Sequence, residues 1–527
     1  MEESRRIIRA TGVVSGATFL SRILGLIRDI VISWAFGASV HTDAFFVALT
    51  IPNLLRRLFG EGSLTVSFIP VYTEYLTHRP DEAPQVVNTV ATLTASALAF
   101  LTVAGVIFAP WIVRLQAFGW KDPEVIALAA RLTRICFPYL FFICLVALSM
   151  GILNSHGHFA APALAPCLLN VSIIACALLL SPYVNPPVLS LAIGVFLGGI
   201  SQLLLQLPFL RAHGITFRPR FDLHHPALKR IFALMAPMMM GIAVFQVNQV
   251  VNRFLASFLP KGSISYLYYA DRVFELPLGV FVIALGVAVL PSFSRLVAEG
   301  RRDEFHREVG LALRLLLFIT LPAMVGMIVL RVPILNLLFQ RGAFGERETL
   351  LTAQALLCYA LGLWAYGGIT VLSRAFYATG DARTPVKAAV AALLLNAAAG
   401  VTLMGPLRHA GLALANALSA TLNVSLLGIF FYRKERGLRG REILGAAVKI
   451  SLALFPLLLW VLWLRGWYPW REGGGYLIKI PLMGAMVGGG ALIYLLTARL
   501  LGCRELNYLI GALRPSPRGG PPSVPRD

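Results

Sequence analysis

The sequence predicts an all-α polytopic membrane protein with about fourteen transmembrane helices. Of the 527 residues, 57% are hydrophobic and 13% are charged, whereas a soluble chain carries about a quarter charged residues. The mean hydropathy is +0.75, and the hydrophobic share is enough for about fourteen spans of roughly 20 residues each. Composition therefore excludes a water-soluble enzyme.

The predicted spans are helices because their apolar runs are continuous and lack the period-two alternation of a membrane β-barrel. In chain order they are 10–36, 41–75, 86–113, 124–153, 160–181, 187–211, 226–258, 263–296, 309–331, 349–378, 386–405, 410–432, 443–465 and 474–500. The first is a retained span and not a signal peptide, because charged residues interrupt it and no small-residue cleavage site follows.

Positive charge is in excess, with 46 Lys and Arg against 25 Asp and Glu. Cytoplasmic loops of membrane proteins retain Lys and Arg, and the predicted loops on the side of the N-terminus hold most of them here. We therefore expect both termini in the cytoplasm. No long soluble segment clusters the basic residues, so nucleic acid is not an expected partner. The six cysteines have no metal-site spacing.

Two turn motifs recur along the chain at nearly the same offset. The segment FIPVYTEY around Pro70 matches VLPSFSRL around Pro291, and NSHGHFAAP at Asn154–Pro162 matches ATGDARTP at Ala378–Pro385. Chance matching of short Pro/Gly turns is the alternative explanation. The common offset favours two six-helix halves of parallel topology, as in many transporters.

This repeat predicts four regions. The N-terminal lobe, 1–215, holds helices 1–6, and the C-terminal lobe, 225–435, holds helices 7–12 related to the first six by a pseudo-two-fold axis. Residues 440–500 add helices 13–14, and 501–527 form a cytoplasmic tail. The end of the tail, RPSPRGGPPSVPRD, has a composition typical of disorder.

Charged residues inside the spans are the main functional signal, because each costs several kcal/mol in hydrocarbon unless it is paired or hydrated. Three clusters stand out: Arg22, Arg28 and Asp29 in span 1; Asp43, Arg56, Arg57 and Glu61 in span 2; Asp271, Arg272 and Glu275 in span 8. Within span 2, we expect a kink at Pro52 and an ion pair between Arg57 and Glu61, four residues apart on a helix.

Arg22, Arg28 and Arg272 lie deep in apolar segments, so they require a hydrated cavity or an anionic ligand. The planar guanidinium suits phosphate oxygens, and an arginine-lined cavity between the two halves is the resulting hypothesis. Alternatives remain for the neighbouring charges. Arg56 and Arg57 could snorkel to a membrane surface, and the acidic residues could only neutralise adjacent arginines. Intramembrane amides such as Asn170 are expected to hydrogen-bond between helices.

Catalysis has no support in the sequence, which contains no GxxxxGK[ST], HExxH or GxSxG motif. We therefore expect a transporter and not an enzyme. A drug/cation antiporter would need a net acidic cavity, which the arginine excess argues against.

The segments SRILGLIRD, FGASVHTDAFFVALTIPNLLRRLFGEGSLTVSFIPVYTEY and SYLYYADRVFELPLGV resemble the bacterial lipid II flippase family MurJ (MviN), of the multidrug/oligosaccharidyl-lipid/polysaccharide exporter superfamily. The resemblance extends over about residues 8–500 in span pattern. It implies fourteen spans, two six-helix lobes and a cationic cavity in the bacterial inner membrane. It also implies that the substrate is lipid II, the undecaprenyl-pyrophosphate-linked peptidoglycan precursor, flipped from inner to outer leaflet. A flippase for another polyprenyl-linked glycan remains an alternative.

The resemblance also implies roles for individual residues. The substrate-binding residues are Arg22, Arg28, Arg56 and Arg272, and the supporting acidic residues are Asp29, Asp43, Glu275 and Glu61. Helices 13–14 are expected to form a groove for the lipid tail. The remaining partners are membrane lipids, and a monomer is expected.

No cofactor is expected apart from an anion such as chloride in the cavity. Some family members hold sodium with aspartates in the second lobe, whereas this chain has Asn248, Asn252 and Asn396 and no carboxylate there. Sodium coupling is therefore doubtful, and no metal site is expected. The transport cycle would run by alternating access, driven by the membrane potential or an ion gradient because no ATPase motif is present.

Overall fold

The computed structural model describes the backbone of residues 2–435, 437 and 440–513, and the side chains of this part except those of 2–10, 61–62, 240–241, 244–245 and 512–513. The chain divides into two compact units. Unit 1 comprises Met1–Ser265 and Arg341–Gly345, and unit 2 comprises Tyr266–Gln340 and Glu346–Asp527. The tail segment predicted to be disordered, 514–527, lies outside the described residues.

Unit 1 is built from ten helices connected by short turns. They are α1 (Glu2–Phe36), α2 (Val40–Leu55), α3 (Thr65–His78), α4 (Ala83–Ile107), α5 (Ala109–Gln116), α6 (Pro123–Cys136), α7 (Tyr139–Ser155), α8 (Ala160–Leu179), α9 (Leu189–Ala212) and α10 (Pro226–Ala256). Between α2 and α3 the chain forms a π-helix, Arg56–Leu64, and a short 3₁₀ turn, Ser181–Tyr183, follows α8.

Unit 2 continues the helical pattern after the first residues of α11. Its helices are α11 (Ser263–Pro277), α12 (Ile283–Ala298), α13 (Arg302–Phe339), α14 (Glu346–Ala360), α15 (Leu363–Ala378), α16 (Arg383–Glu435), α17 (Gly440–Arg465), α18 (Tyr476–Gly484), α19 (Gly490–Leu500) and α20 (Arg504–Leu513). Two π-helices interrupt it, Leu278–Val282 after α11 and Ala485–Gly489 after α18.

The prediction of an all-α polytopic membrane protein is confirmed. Within the described residues, ten helical segments are long and apolar enough to cross a membrane. One of them, Arg383–Glu435, contains two predicted spans, because the backbone leaves the helical region at Arg408, where φ is 51°. The predicted spans 10–36, 41–75 and 226–258 are helical but are not among the ten, and all three contain charged residues.

The units divide at a different place from the predicted lobe boundary at 215–225. Helix α10, assigned to the C-terminal lobe by the sequence, lies in unit 1. The reason is its apolar face, because Leu228, Ile231 and Met235 are buried in one hydrophobic cluster with Phe68 of α3. This packing keeps α10 with the helices that carry the first charged clusters.

The two matched turns of the predicted repeat have the same backbone conformation. Gly157 and Gly380 have φ values of 75° and 76°, a region that favours glycine because it lacks a Cβ. In both turns the amide that follows the glycine donates a 2.9 Å hydrogen bond to a carbonyl five residues earlier. This is the hydrogen bond that commonly closes a helix C-terminus.

Two of the π-helices also occupy matching places, Arg56–Leu64 in predicted span 2 and Leu278–Val282 in predicted span 8. Each follows a proline within the preceding helix, Pro52 in the first case and Pro277 in the second. Proline has no backbone N–H to donate, so it interrupts the α-helical hydrogen bonds. The wider i→i+5 hydrogen bonds of a π-helix follow in both places. Such π segments are frequent at functional sites.

Candidate functional site

The first predicted charged cluster forms a tight network on α1. The Nε and Nη2 atoms of Arg28 both donate to Oδ1 of Asp29, at 3.0 and 2.8 Å. The Arg28 Nη1 atom donates to Oδ1 of Asn170 at 3.0 Å. The side chains of Arg28 and Asp29 are 17% and 3% exposed, so this is a largely buried ion pair, which needs further hydrogen bonds to offset the desolvation of both charges.

Asn170 supplies those further bonds from α8. Its Nδ2 group donates to the carbonyl oxygens of Ser21 and Pro166, both at 3.2 Å, and its side chain lies beside Gly25. The interhelical hydrogen bond expected for Asn170 is present. Its second role, orienting Arg28, was missed by the sequence reasoning, because the two residues are far apart in the chain.

Arg22 lies on the same helix and is exposed within unit 1. It therefore differs from Arg28, whose guanidinium is held by two side chains. An exposed guanidinium keeps its five N–H donors available for an anion. Arg22 and Arg28 thus provide one exposed cation and one held by neighbouring side chains on a single helix.

The second charged cluster lies where the α-helix becomes a π-helix. Arg56 is the first residue of the π segment and its Nε atom donates to Oδ1 of Asn53 at 3.3 Å. The predicted pairing of Arg57 with Glu61 assumed α-helical spacing, whereas residues here follow the π register. The Glu61 side chain lies outside the described residues.

Asp43 belongs to the first turn of α2, and its carboxylate accepts hydrogen bonds from the amino end of α11. Its Oδ2 accepts from the Gly262 amide at 2.6 Å, and its Oδ1 accepts from the Ser265 amide and hydroxyl at 2.8 and 2.6 Å. The residue is 3% exposed. A carboxylate from another helix thereby satisfies amides that a helix N-terminus leaves without partners. This contact joins the beginning of α2 to the beginning of α11.

The third cluster lies on α11 in unit 2. The Nη1 atom of Arg272 donates to Oε2 of Glu275 at 2.7 Å, and their side chains are 33% and 45% exposed. The Arg272 guanidinium carbon also lies 4.8 Å from the centre of the Tyr268 ring, a distance typical of cation–π attraction. Arg272 is thus held from two sides while part of it stays accessible.

The structure therefore brings the predicted residues together as separate pairs within each unit. Arg28 pairs with Asp29, Arg272 pairs with Glu275, and Asp43 bonds to the α11 terminus. Two arginines that are held by carboxylates and keep some exposure can exchange a carboxylate partner for a phosphate oxygen, because both are charged acceptors.

Comparison with known proteins identifies the family. The family model described as "Lipid II flippase MurJ" matches residues 32–478. A probable lipid II flippase MurJ of Vibrio cholerae is 36% identical over 520 residues, covering 95% of this chain and 97% of that protein. A lipid II flippase MurJ of Burkholderia cenocepacia is 38% identical over 438 residues, covering 82% of this chain and 84% of that protein.

Solved structures agree with these relatives. A structure of lipid II flippase MurJ in an inward closed conformation aligns with a TM-score of 0.77 and 30% identity, covering 94% of this chain and 99% of that one. An inward-facing multidrug resistance transporter of the MATE family aligns with a TM-score of 0.67 at 15% identity, covering 81% and 98%, which shows the shared fold alone. The chain belongs to the lipid II flippase MurJ family, a bacterial family of multi-pass membrane transporters and not of enzymes.

Proposed function

We propose that this lipid II flippase binds the diphosphate of its substrate through Arg22, Arg28, Arg56 and Arg272 and moves the head group to the outer leaflet by alternating access. Family membership supports the substrate. The observation that carries the binding role is the arrangement around Arg28, a largely buried guanidinium held in place by Asp29 and Asn170. These bonds keep the positively charged Arg28 guanidinium in one orientation.

The acidic partners have a place in this cycle. Asp29 and Glu275 hold Arg28 and Arg272 oriented, and a diphosphate would replace a carboxylate at each guanidinium. When the diphosphate leaves, the carboxylates return and restore the starting arrangement. Because each exchange swaps one charged acceptor for another, neither arginine is left unpaired in the membrane at any step.

The proposal includes the topology. Fourteen crossings with both termini in the cytoplasm agree with the distribution of Lys and Arg in the loops, and family membership supports the bacterial inner membrane. Residues 440–500 carry the lipid tail, and the protein works as a monomer without nucleic acid. Sodium is not required, and chloride is the anion expected near the arginines. The membrane potential contributes about 2.3 kcal/mol per charge per 100 mV.

Translocation in vesicles tests this proposal. The purified protein is reconstituted with lipid II, and appearance of the head group on the opposite leaflet is measured with and without an imposed potential. We expect transport by the natural chain and none by Arg28→Ala or Arg272→Ala at equal protein density. Equal transport of a different polyprenyl diphosphate glycan would favour that wider substrate class, and full activity of both variants would contradict the arginine site.

A further inference from the structure

A second arginine cluster lies in unit 2 and contains none of the residues of the three charged clusters described above. Arg331 near the end of α13, Arg465 at the end of α17 and Arg471 in the connection to α18 line one cavity of about 580 Å³. A single carboxylate, that of Glu472, lies in the same lining. Three guanidiniums that cannot lose their protons therefore face a space with one opposing charge.

Two of these guanidiniums are fixed on neighbouring carbonyls of α13. The Nη1 atom of Arg331 donates to the Ile328 carbonyl at 2.6 Å, and the Nη1 atom of Arg465 donates to the Val329 carbonyl at 3.0 Å. Among the described residues, neither guanidinium lies within salt-bridge distance of a carboxylate. Since like charges held close together repel, a bound anion would stabilise both.

Buried polar residues outside the lining hold the Arg471–Glu472 side of the cavity in place. Asn336 and Gln340, 1% and 6% exposed, donate to the carbonyls of Glu472 and Arg471 at 2.9 and 2.6 Å. Lys479, which is fully buried, donates to Asn336 at 2.8 Å and to the Glu472 carbonyl. These bonds tie the α17–α18 connection to α13, so the cavity is formed before any ligand arrives.

Tryptophans mark the depth of this cavity in the membrane. Trp463 and Trp467 are 55% and 63% exposed, their ring centres are 4.6 Å apart, and Trp460 lies 5.6 Å from Trp463. Exposed tryptophans concentrate at the level of lipid headgroups. With the proposed topology, on which this step rests, α17 ends at the outer side of the membrane, so the cavity lies at the headgroup level of the outer leaflet.

We propose that this cavity binds the phosphate group of a lipid in the outer leaflet. An arginine guanidinium can donate two parallel hydrogen bonds to the oxygens of one phosphate group. The cavity volume is within the range of small-ligand sites, about 300–1,000 Å³. The lipid chains lie along the exposed apolar face of α17, which presents Leu459 and Trp463. The phosphodiester of an anionic phospholipid and the diphosphate of a polyprenyl lipid share this chemistry.

Lipid binding to the intact chain tests the site. Native mass spectrometry measures the affinity for phosphatidylglycerol, undecaprenyl diphosphate, diacylglycerol and inorganic pyrophosphate, using full-length protein that carries Arg28→Ala and Arg272→Ala so that the proposed transport site does not contribute to diphosphate binding. We expect the two phosphate-bearing lipids to bind, and diacylglycerol to bind at least about a hundredfold more weakly because it lacks the phosphate and its charge-assisted hydrogen bonds. The tighter of the two lipids identifies the source of the ligand.

Variants test whether lipid binding depends on the arginines of this cavity or on positive surface charge in general. The Arg331→Ala/Arg465→Ala double variant should lose about a hundredfold in lipid affinity, whereas Arg331→Lys/Arg465→Lys should lose less because charge is kept. Arg499→Ala, at an exposed arginine outside the cavity, should bind as the natural chain does. The thermal midpoint of each variant is measured to select folded protein.

Three results would overturn the proposal: unchanged lipid affinity in the double alanine variant, equal binding of diacylglycerol, or binding of pyrophosphate with no gain from the lipid chains. Arg28→Ala, which should stop translocation, should keep full lipid affinity at this cavity. The two proposals therefore fail independently, because one is read in transport and the other in binding.

Discussion

The carboxylate oxygen Oδ1 of Asp43 accepts hydrogen bonds from both the amide and the hydroxyl of Ser265, at 2.8 and 2.6 Å. Its other oxygen accepts from the Gly262 amide at 2.6 Å. The carboxylate therefore lies at two helix N-termini, the first turn of α2 and the start of α11, where negative charge is favourable. Arg272 follows two turns further along α11.

Removal of this carboxylate should destabilise the protein. Asp43→Ala leaves two buried amides without their acceptor, and we expect a loss of about 3 kcal/mol in the free energy of unfolding. Ser265→Ala removes only the hydroxyl bond and should lose about 1 kcal/mol. Thermal unfolding in detergent measures the order of the two midpoints, and an Asp43→Ala midpoint at or above that of Ser265→Ala would refute this role.

Loss of Asn170 should weaken function without abolishing it. Asn170 orients Arg28 and keeps α8 on α1, so Asn170→Ala should reduce rescue of a flippase-depleted bacterial strain while Arg28→Ala abolishes it. Arg28→Lys should also fail, because one ammonium cannot reach both Asp29 and Asn170 as the guanidinium does. Membrane abundance is measured for each. Equal rescue by Asn170→Ala and the natural chain would contradict this positioning role.

Lipid II transport should depend on the aromatic ring of Tyr268 and not on its hydroxyl group. The Arg272 guanidinium lies over this ring, so Tyr268→Phe should retain lipid II transport. Tyr268→Leu loses the ring and should reduce transport several-fold, since a cation–π contact contributes about 0.5–2 kcal/mol. The initial transport rate in vesicles distinguishes the two variants. Equal rates in Tyr268→Leu and the natural chain would contradict a role for the ring.

A histidine cluster in the Ser155–Phe159 turn should make stability depend on pH. Burial, and secondly the charge of His213, lowers the pKa of His156 and of His158. The folded protein then binds fewer protons than the unfolded chain, so this contribution to stability is complete above about pH 6.5 and is lost as the pH falls below it.

Unfolding midpoints between about pH 5 and 8 measure this effect. The His156→Gln/His158→Gln variant should have a flatter profile than the natural chain, because neither side chain then takes up a proton on unfolding. Arg499→Gln, at an exposed position with no histidine nearby in sequence, serves as the control and should leave the slope unchanged. An identical slope in the histidine variant would refute the assignment.

Much of the fold could be predicted because hydropathy and turn residues are local. Every span predicted from an apolar run coincides with a helical segment. The turns predicted at Gly157 and Gly380 share one backbone conformation. The charged clusters were found for the same reason, since Arg28 and Arg272 interrupt apolar sequence. Local signals of this kind are readable without any knowledge of packing.

Contacts between residues that are far apart in the sequence could not be predicted. Nothing in the sequence near Asp43 indicates Ser265, and the pairing depends on how α2 and α11 pack. The π-helix at Arg56 was also missed, because its residues fit an α-helical pattern equally well. Arg331 and Arg465 looked like ordinary span ends, although the dense aromatic and basic run WVLWLRGWYPWRE was an available signal.

The π-helix between α2 and α3 holds about one more residue per turn than an α-helix does. Deleting a single residue within Arg56–Leu64 would convert one such turn to α pitch and leave the rotational phase of α3 nearly unchanged, so Phe68 would keep its place beside α10 in the buried cluster. A deletion inside a regular α-helical segment has no wider turn to absorb it and rotates the rest of that helix by about 100° around its axis. A frame-preserving loss of three nucleotides would therefore be tolerated better in this segment than in the helices that flank it.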